Sequence, residues 1–499
     1  MHRIPNFGMI NLYAMNKLRK RIPVIIWLMS LVASFDCAAQ VKHNTLLADQ
    51  FKQGIFVIHD VAVIPMTEHD TIITHANVVV QGNKIISING LTPKGAKLIN
   101  GTGKWLIPGL IDMHVHNLAD INFGSSYPTK GANFFLDSQD FMWLYIENGV
   151  TTALEMNGRA EHFGQRNDIV KGRIIGPRIA LSALINGGEG DGFIANTPED
   201  GRQTVRIAKA MGYDFIKPYG ALNIETFKAI IDEAKKQGMK TTGHIPVAFI
   251  GTLTEAFVPN FAMVAHAEEY SRNSEHFSDD DARRFARFAK ANNTWLCPTL
   301  ITMVRIAEQS QTLDSLRNLT YFDEVHPLMQ SKWLTANRYN IETSAERIAY
   351  FDKMVNFHYR LVKIFQEEGV PIVAGTDAGT SGVVWGYALH DELQQLVKAG
   401  LSPRSALKAA TYTAADWLQI GDRIGTIEPG KLADLVLLDA NPLDNISNTR
   451  KIAGVFVNGR WVDKKHIALI RAAIIKKHKL NKNNFDWSKR KELPNQLEN

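Results

Sequence analysis

The stretch PGLIDMHVH, residues 108–116, sets Asp112, His114 and His116 at every second position among Leu110, Ile111, Met113 and Val115. On a strand, alternate side chains share a face, so the three polar groups stack on one side. Two imidazoles at i and i+2 near a strand end can converge on one cation, whereas two core histidines would each need its own buried hydrogen-bond partner. The spacing alone leaves both readings open, because H-x-H is short enough to recur by chance.

More ionisable residues stand at the C-terminal ends of later apolar runs: Lys217 in DFIKPYG, His244 in KTTGHIP, His266 in FAMVAHAEE and Asp377 in PIVAGTDAG. Each has a bland alternative: a snorkelling lysine, a turn histidine, a capping group before a helix, a helix N-cap. Their recurrence at the same end of successive runs argues for one shared site. Four imidazoles and a carboxylate suit borderline divalent ions such as zinc. An ammonium there would repel cations, but a deprotonated Lys217 amine can react with carbon dioxide to give a carbamate, a carboxylate able to bridge two metals.

The elements that must carry these residues are legible from periodicity. TTALEM, RIALSA, DFIKPYG, KTTGHIP, FAMVAHAEE, TWLCPTL and PIVAGTDAG read as strands which, with PGLIDMHVH, make eight. Amphipathic segments alternate with them. IETFKAIIDEAKKQG (224–238) sets Phe227, Ile230, Ile231 and Ala234 on one stripe and ends on Gly238 as a C-cap, and DDARRFARFAKANN (280–293) is similar. Such alternation means a parallel sheet, and eight strands are enough to close a barrel, whose active sites are built at the C-terminal strand ends. A doubly wound open sheet is the alternative, but no strand is followed by G-x-G-x-x-G. Residues 55–107 and 425–462 read instead as short strands with glycine turns, QGNK at 81–84 being a hairpin, which points to one small β-domain assembled from both ends. The expected division is a leader over 1–39, β-domain over 40–107, barrel over 108–420, β-domain again over 421–463, and a basic helical tail over 464–499.

The formal charge of +6 over 499 residues is concentrated in the two ends. The body between them is net acidic, so no nucleic-acid partner is expected. Lys17, Arg19, Lys20 and Arg21 precede the apolar run at 22–33, and CAA at 37–39 offers a cleavage site, which reads as a signal peptide and an exported, periplasmic or secreted protein. The run is shorter than the roughly 20 residues needed to span a bilayer, so membrane contact is expected only through an uncleaved leader or weak contact of the basic tail. Cleavage would remove Cys37 and leave Cys297 alone, read as a buried small hydrophobe rather than a nucleophile.

PGLIDMHVH, Lys217, His244, His266 and GTDAG, followed by GYALHDELQQLVKAGLSPRSALKAAT and GTIEPGKLADLVLLDANPL, together resemble the amidohydrolase superfamily, in the branch of imidazolonepropionase-like enzymes and metal-dependent Xaa-Pro dipeptidases. The resemblance runs from about residue 55 to about 460. It implies a distorted (β/α)8 TIM barrel with a composite β-sandwich from both termini. It also implies two divalent ions: His114 and His116 on the more buried one with Asp377, His244 and His266 on the other, and a carboxylated Lys217 between them. The implied reaction is hydrolysis of a C–N bond in a small substrate, such as a dipeptide or an N-acyl amino acid, by a metal-bridging hydroxide with Asp377 as base. Imidazolonepropionases use one metal and lack the lysine, so Lys217 favours the dipeptidase side. Two departures stand out: AHAEEY surrounds His266 where relatives commonly have EH, and WGY at 385–387 replaces a frequent His-Gly-Tyr. Asp112 is a candidate support for the ligands, ordinary barrel packing being the alternative, and Tyr219, Tyr387 and His390 are candidate substrate contacts, a structural role being the alternative for Tyr219 and His390. Cyclic-amide or ester hydrolysis on the same site, a non-catalytic metal- or ligand-binding protein, and a membrane-bound assembly protein are the competing functions. A homo-oligomer is expected.

Overall fold

The computed structural model describes residues 48–68, 71–118, 121–122, 133–134, 137–188 and 192–487. The expected leader lies outside these residues, as does the tail beyond 487. Among the described residues no helix is long and apolar enough to cross a membrane.

Strands from both chain ends meet in one sheet. Gly54–Val63 (β1), Ile73–Gly82 (β2), Lys84–Ile88 (β3), Lys97–Asn100 (β4) and Trp105–Pro108 (β5) come from the first group. The hairpin read at QGNK is present, Gln81 pairing with Lys84 across a turn in which Gly82 has φ +61°. Leu435–Leu438, Ile452–Val457 and Arg460–Asp463 return from the far end of the chain, the first running antiparallel to β5 with Leu435 opposite Pro108. Alternate residues such as Phe56, Ile58, Val78, Val80, Leu435 and Leu437 form the sheet's apolar cluster.

The second sheet follows directly. Leu110–Val115 (β6), Val150–Glu155 (β7), Arg178–Asn186 (β8), Phe215–Pro218 (β9), Thr241–Gly243 (β10), Phe261–Ala265 (β11) and Trp295–Cys297 (β12) pair in parallel in sequence order. The segment from Ile372 to Ala378 closes the circle, bridging Leu296 on one side and Val115 on the other. Its backbone bonds, Val373 N to Leu296 O at 3.0 Å and Met113 N to Ala374 O at 3.0 Å, make a nearly closed TIM-like barrel. Ile111, Met113, Leu154, Phe215, Met263, Cys297 and Val373 belong to one buried cluster, each large side chain contributing about 1.5–3 kcal/mol by leaving water. Cys297 is buried, and burial pushes its thiol well above its ordinary range, as befits an inert core residue.

The helices that bear on the site, in chain order, are Ser138–Ile146 (α1), Ile224–Lys236 (α2), Asp279–Ala291 (α3), Leu300–Gln311 (α4), Pro327–Thr335 (α5), Tyr387–Lys398 (α6) and Lys464–Asn481 (α7). On α2 the expected stripe is buried, Asn223 caps the start, and Gln237 is the cap residue with Gly238 just past it at φ +65°. The described part of the basic tail forms α7, which buries Ile467 and Ile474 against the body. It also carries exposed ion pairs of small weight, Lys464 with Asp439 at 2.8 Å, Lys477 with Asp140 at 2.6 Å and Lys479 with Asp323 at 2.8 Å.

Candidate metal centre

The barrel's closing seam builds the centre of the site. Asp377 N donates to His114 O and His116 N to Ala378 O, each at 2.8 Å, so β6 and the end of the eighth strand are locked in register. Across that seam Asp377 Oδ1 lies 3.2 Å from His114 Nε2 and 3.3 Å from His116 Nε2. The three ligand atoms fall within 4.8 Å of one another, a grouping that would close around one cation with a small inward shift of the side chains. Asp112 braces the same seam from below: its carboxylate accepts from Thr376 N at 3.0 Å, Thr376 Oγ1 at 2.7 Å and His114 N at 3.2 Å.

Gly375 makes the approach of the two strands possible. A Cβ there would stand 2.5 Å from Cys297 Sγ and 2.9 Å from His114 N. Gly375→Ala is therefore expected to destabilise the fold by about 1–3 kcal/mol through overpacking. Thermal unfolding of Gly375→Ala, and of the same variant carrying Cys297→Ala, measures this; the double variant should recover part of the loss.

Three further residues converge from separate strands. Lys217, at 1% exposure, brings Nζ to 3.4 Å from His114 Nε2. The His266 ring sits between those of His114 and His244, with centroids 4.6 and 4.7 Å away, and the His114 and His116 rings are 5.3 Å apart. His244 Nδ1 is engaged by Glu269 Oε1 at 2.7 Å and His266 Nδ1 by Thr299 Oγ1 at 2.7 Å, leaving Nε2 of each ring as the nitrogen for a cation. The structure thus gathers all six residues predicted as metal ligands at one mouth of the barrel.

Their protonation suits cation binding. Burial, then the nearby Lys217 charge, pushes His114 down to about 3, and burial holds His266 well below its ordinary value. Burial acts to raise Asp377, but the facing His114 and the bonds from His114 and His116 outweigh it and keep the carboxyl well below the usual range. Neutral imidazoles beside an ionised carboxylate are the state in which a dication is bound without first displacing protons. Burial also lowers the Lys217 amine to about 8, toward the uncharged form that a carbamate requires.

Two of the six adopt left-handed backbone, His266 at φ +76° and Asp377 at φ +58°, as does Thr299 at φ +48°. Such strain persists only where surroundings over-determine it, and it gathers at functional sites. Glu392 on α6 supplies part of that constraint by accepting from Leu300 N at 3.1 Å and Ile301 N at 2.7 Å, just past Thr299.

Glu269 and Thr299 are supports that sequence reasoning missed. The signal for Glu269 was the AEE that departs from the family pattern, an acid three residues past His266 that proves to be 1% exposed. It also accepts from Arg272 Nη1 at 3.1 Å. A carboxylate on the far nitrogen of a ligating imidazole fixes its tautomer and aim, so Glu269→Gln is expected to weaken metal affinity about 10–100-fold while the fold persists. Chelator competition alongside circular dichroism tests this.

The three candidate substrate contacts divide. Tyr219 is at the site: its ring is 4.4 Å from that of His244, and Lys217 Nζ lies 5.4 Å from its centroid. Tyr387 corrects the expectation, its hydroxyl being committed to Glu147 Oε1 at 2.9 Å and Glu324 Oε1 at 2.8 Å and its ring stacked on Tyr321. His390 does so too, for it is fully buried and bonds Thr449 Oγ1 at 2.9 Å, tying α6 to the turn before the last hairpin. Tyr387 enters the expectation through the family's His-Gly-Tyr position and His390 lies three residues further on; the first turn of α6 directs both elsewhere.

Comparison with known proteins agrees with this geometry. The sequence profile of the Amidohydrolase family matches residues 105–462. An imidazolonepropionase from Thermoplasma volcanium is 32% identical over 108 residues, 21% of this chain and 26% of that protein. The chain spans 12% to 26% of the length of the first curated relatives it matches. Among solved structures, a Xaa-Pro dipeptidase with bound methionine superposes with a TM-score of 0.61 at 21% identity, covering 82% of this chain and 100% of that one. Bottromycin amidohydrolase gives a TM-score of 0.68 at 21% identity over 88% of this chain and 93% of its own. At these identities the likeness is one of fold.

Proposed function

The chain belongs to the amidohydrolase family, and from that premise we propose that it is a metal-dependent hydrolase of C–N bonds in small substrates, Xaa-Pro dipeptides or N-acyl amino acids. The observation that carries this reading is the meeting of His114, His116, Lys217, His244, His266 and Asp377 from separate strand ends. A second reading, cyclic-amide hydrolysis, is favoured by the imidazolonepropionase relatives, and the buried Lys217 beside His114 speaks against it.

The donor set fits two divalent ions, zinc before others because imidazole and carboxylate suit it. His114, His116 and Asp377 would hold one, His244 and His266 the second, and Lys217 as a carbamate would join them. So placed, the ions supply Lewis acidity toward the scissile carbonyl and acidify the attacking water. The residues do the rest. Asp377 Oδ1 faces both imidazoles, leaving Oδ2, which accepts from Thr380 Oγ1 at 3.1 Å, to take the water's proton and return it to the leaving nitrogen. The C–O bond forms as the carbonyl π pair moves onto its oxygen; return of that pair breaks the C–N bond, and the proton gained by Asp377 ends on the departing amine. Glu269 and Thr299 keep His244 and His266 from turning. Tyr219 borders the second ion's histidines and contacts the substrate.

The eight-stranded sheet from both chain ends is read as the family's β-sandwich, and residues 1–39 as a leader removed on export. Metal analysis of the purified chain, followed by a panel of Xaa-Pro dipeptides, N-acyl amino acids, a cyclic amide and esters, tests the proposal. Two ions per chain and turnover confined to C–N substrates are expected. A chain that takes up no zinc and cleaves none of the panel refutes it.

A further inference from the structure

The family match ends at residue 462 and α7 begins at Lys464, so this helix lies outside the shared core. One of its residues is tied to the site. Arg471 Nε lies 3.1 Å from Glu147 Oε2 and 3.4 Å from Glu324 Oε2. Glu147 caps the end of α1, and Glu324 ends the 3-10 turn Phe322–Glu324. The Tyr387 hydroxyl joins the two carboxyls, and the Arg471 guanidinium stands 5.9 Å from the Tyr387 ring centroid.

From Tyr387 the contacts run to a metal ligand in two residues. Gly386 has φ +74°, and a Cβ there would fall 2.1 Å from Leu144 O, so this segment is pressed against α1. Trp385 donates Nε1–H to His116 O at 2.9 Å. Its ring meets Phe141 of α1 edge-on at 5.1 Å and stacks on Trp333 of α5 at 6.3 Å. The WGY that departs from the family pattern therefore grips the backbone of His116 from behind, and its far end is clamped by α7.

We propose that Arg471 is a positioning residue for the metal centre: by locking Tyr387 between Glu147 and Glu324 it fixes the Trp385–Tyr387 segment, and with it the carbonyl of His116 and the aim of its imidazole. This rests on the metal-binding reading above. The coupling is a chain of packed and hydrogen-bonded groups, and its claim is that loosening one end loosens the other.

The test compares full-length Arg471→Met, Arg471→Lys, Tyr387→Phe and their double variant with Lys464→Met, which lies on the same helix but meets Asp439 at 2.8 Å. Zinc affinity by chelator competition, kcat and KM, and amide exchange over residues 110–118 are measured. In Arg471→Met and Tyr387→Phe, zinc should bind about tenfold more weakly, kcat should fall by a similar factor with KM held, and exchange over 110–118 should quicken. Arg471→Lys should recover part of each effect, and the double variant should lose no more than the worse single one. Lys464→Met should match the wild type. Unaltered zinc affinity and exchange in folded Tyr387→Phe overturn the proposal even where Arg471→Met does not fold, and so does an equal loss in Lys464→Met. A wild-type chain that binds no zinc fails the functional reading instead, and the exchange measurement then still decides whether Arg471 orders β6.

Discussion

Asp377→Asn is expected to lose turnover by about a thousandfold, within the range that a positioned general base contributes, while retaining most of its zinc. The asparagine keeps an oxygen near His114 and His116, which now lie 3.2 and 3.3 Å from Oδ1, but it can no longer take a proton from water and deliver it to the leaving nitrogen. A side chain that served only as a ligand would lose metal and activity in step. Measured together, metal content by elemental analysis and kcat at saturating zinc separate the two roles. Near-normal turnover at full occupancy removes Asp377 as the base. Loss of activity fully restored by excess zinc leaves it as a ligand alone.

The pattern of what was legible follows from the range over which each signal acts. Strand identity and order were legible because β6 to β12 are short apolar runs separated by amphipathic helices, and periodicity is a local property. The six converging residues were legible because barrel sites form at the C-terminal strand ends, which turns a list of runs into a list of positions. Of the supports, Asp112 was legible from its place on the strand face, but Glu269, Thr299 and Glu392 were not, because each acts through a contact between distant segments. Thr299 serves His266 from 33 residues away, and Glu392 reaches Leu300 N across 92 residues. No propensity argument places a β-branched threonine at φ +48°. That conformation is imposed by its neighbours, with Glu392 holding the first turn of α4 just past it. Tyr387 and His390 were misplaced for the complementary reason: a motif's position after a strand says nothing of which way the first turn of the following helix faces. Likewise GTIEPGKLADLVLLDA read as short strand broken by glycine turns, and Leu435–Leu438 alone of it forms a strand, the part that finds β5 as a partner.

Lys217→Met is expected to separate stability from function in opposite directions. In the metal-free chain the buried amine is lowered from 10.5 to about 8. A cation whose folded value lies below its unfolded value costs stability at every pH below the folded value, and the cost fades as pH rises toward the unfolded one. At pH 7 the shift corresponds to about 3 kcal/mol, so Lys217→Met should melt higher than the wild type after chelation, with the gap narrowing between pH 8 and 10.5. With zinc present the order reverses. Without an amine to take up carbon dioxide there is no bridging carboxylate, and the chain should hold one ion instead of two. Loss of several kcal/mol of charge stabilisation in the transition state lowers kcat/KM by about a thousandfold. In the wild type, carbamate formation joins the uncharged amine to carbon dioxide with loss of a proton, so recovery of a chelated, carbon dioxide-free sample on adding zinc at a fixed concentration of dissolved carbon dioxide should be faster at pH 8 than at pH 6.5. Melting curves across this pH range, metal stoichiometry and the reactivation rate measure the three effects. A Lys217→Met chain that keeps two ions and wild-type kcat/KM removes the lysine from the site's chemistry, and one that melts lower after chelation shows that its burial was never a cost.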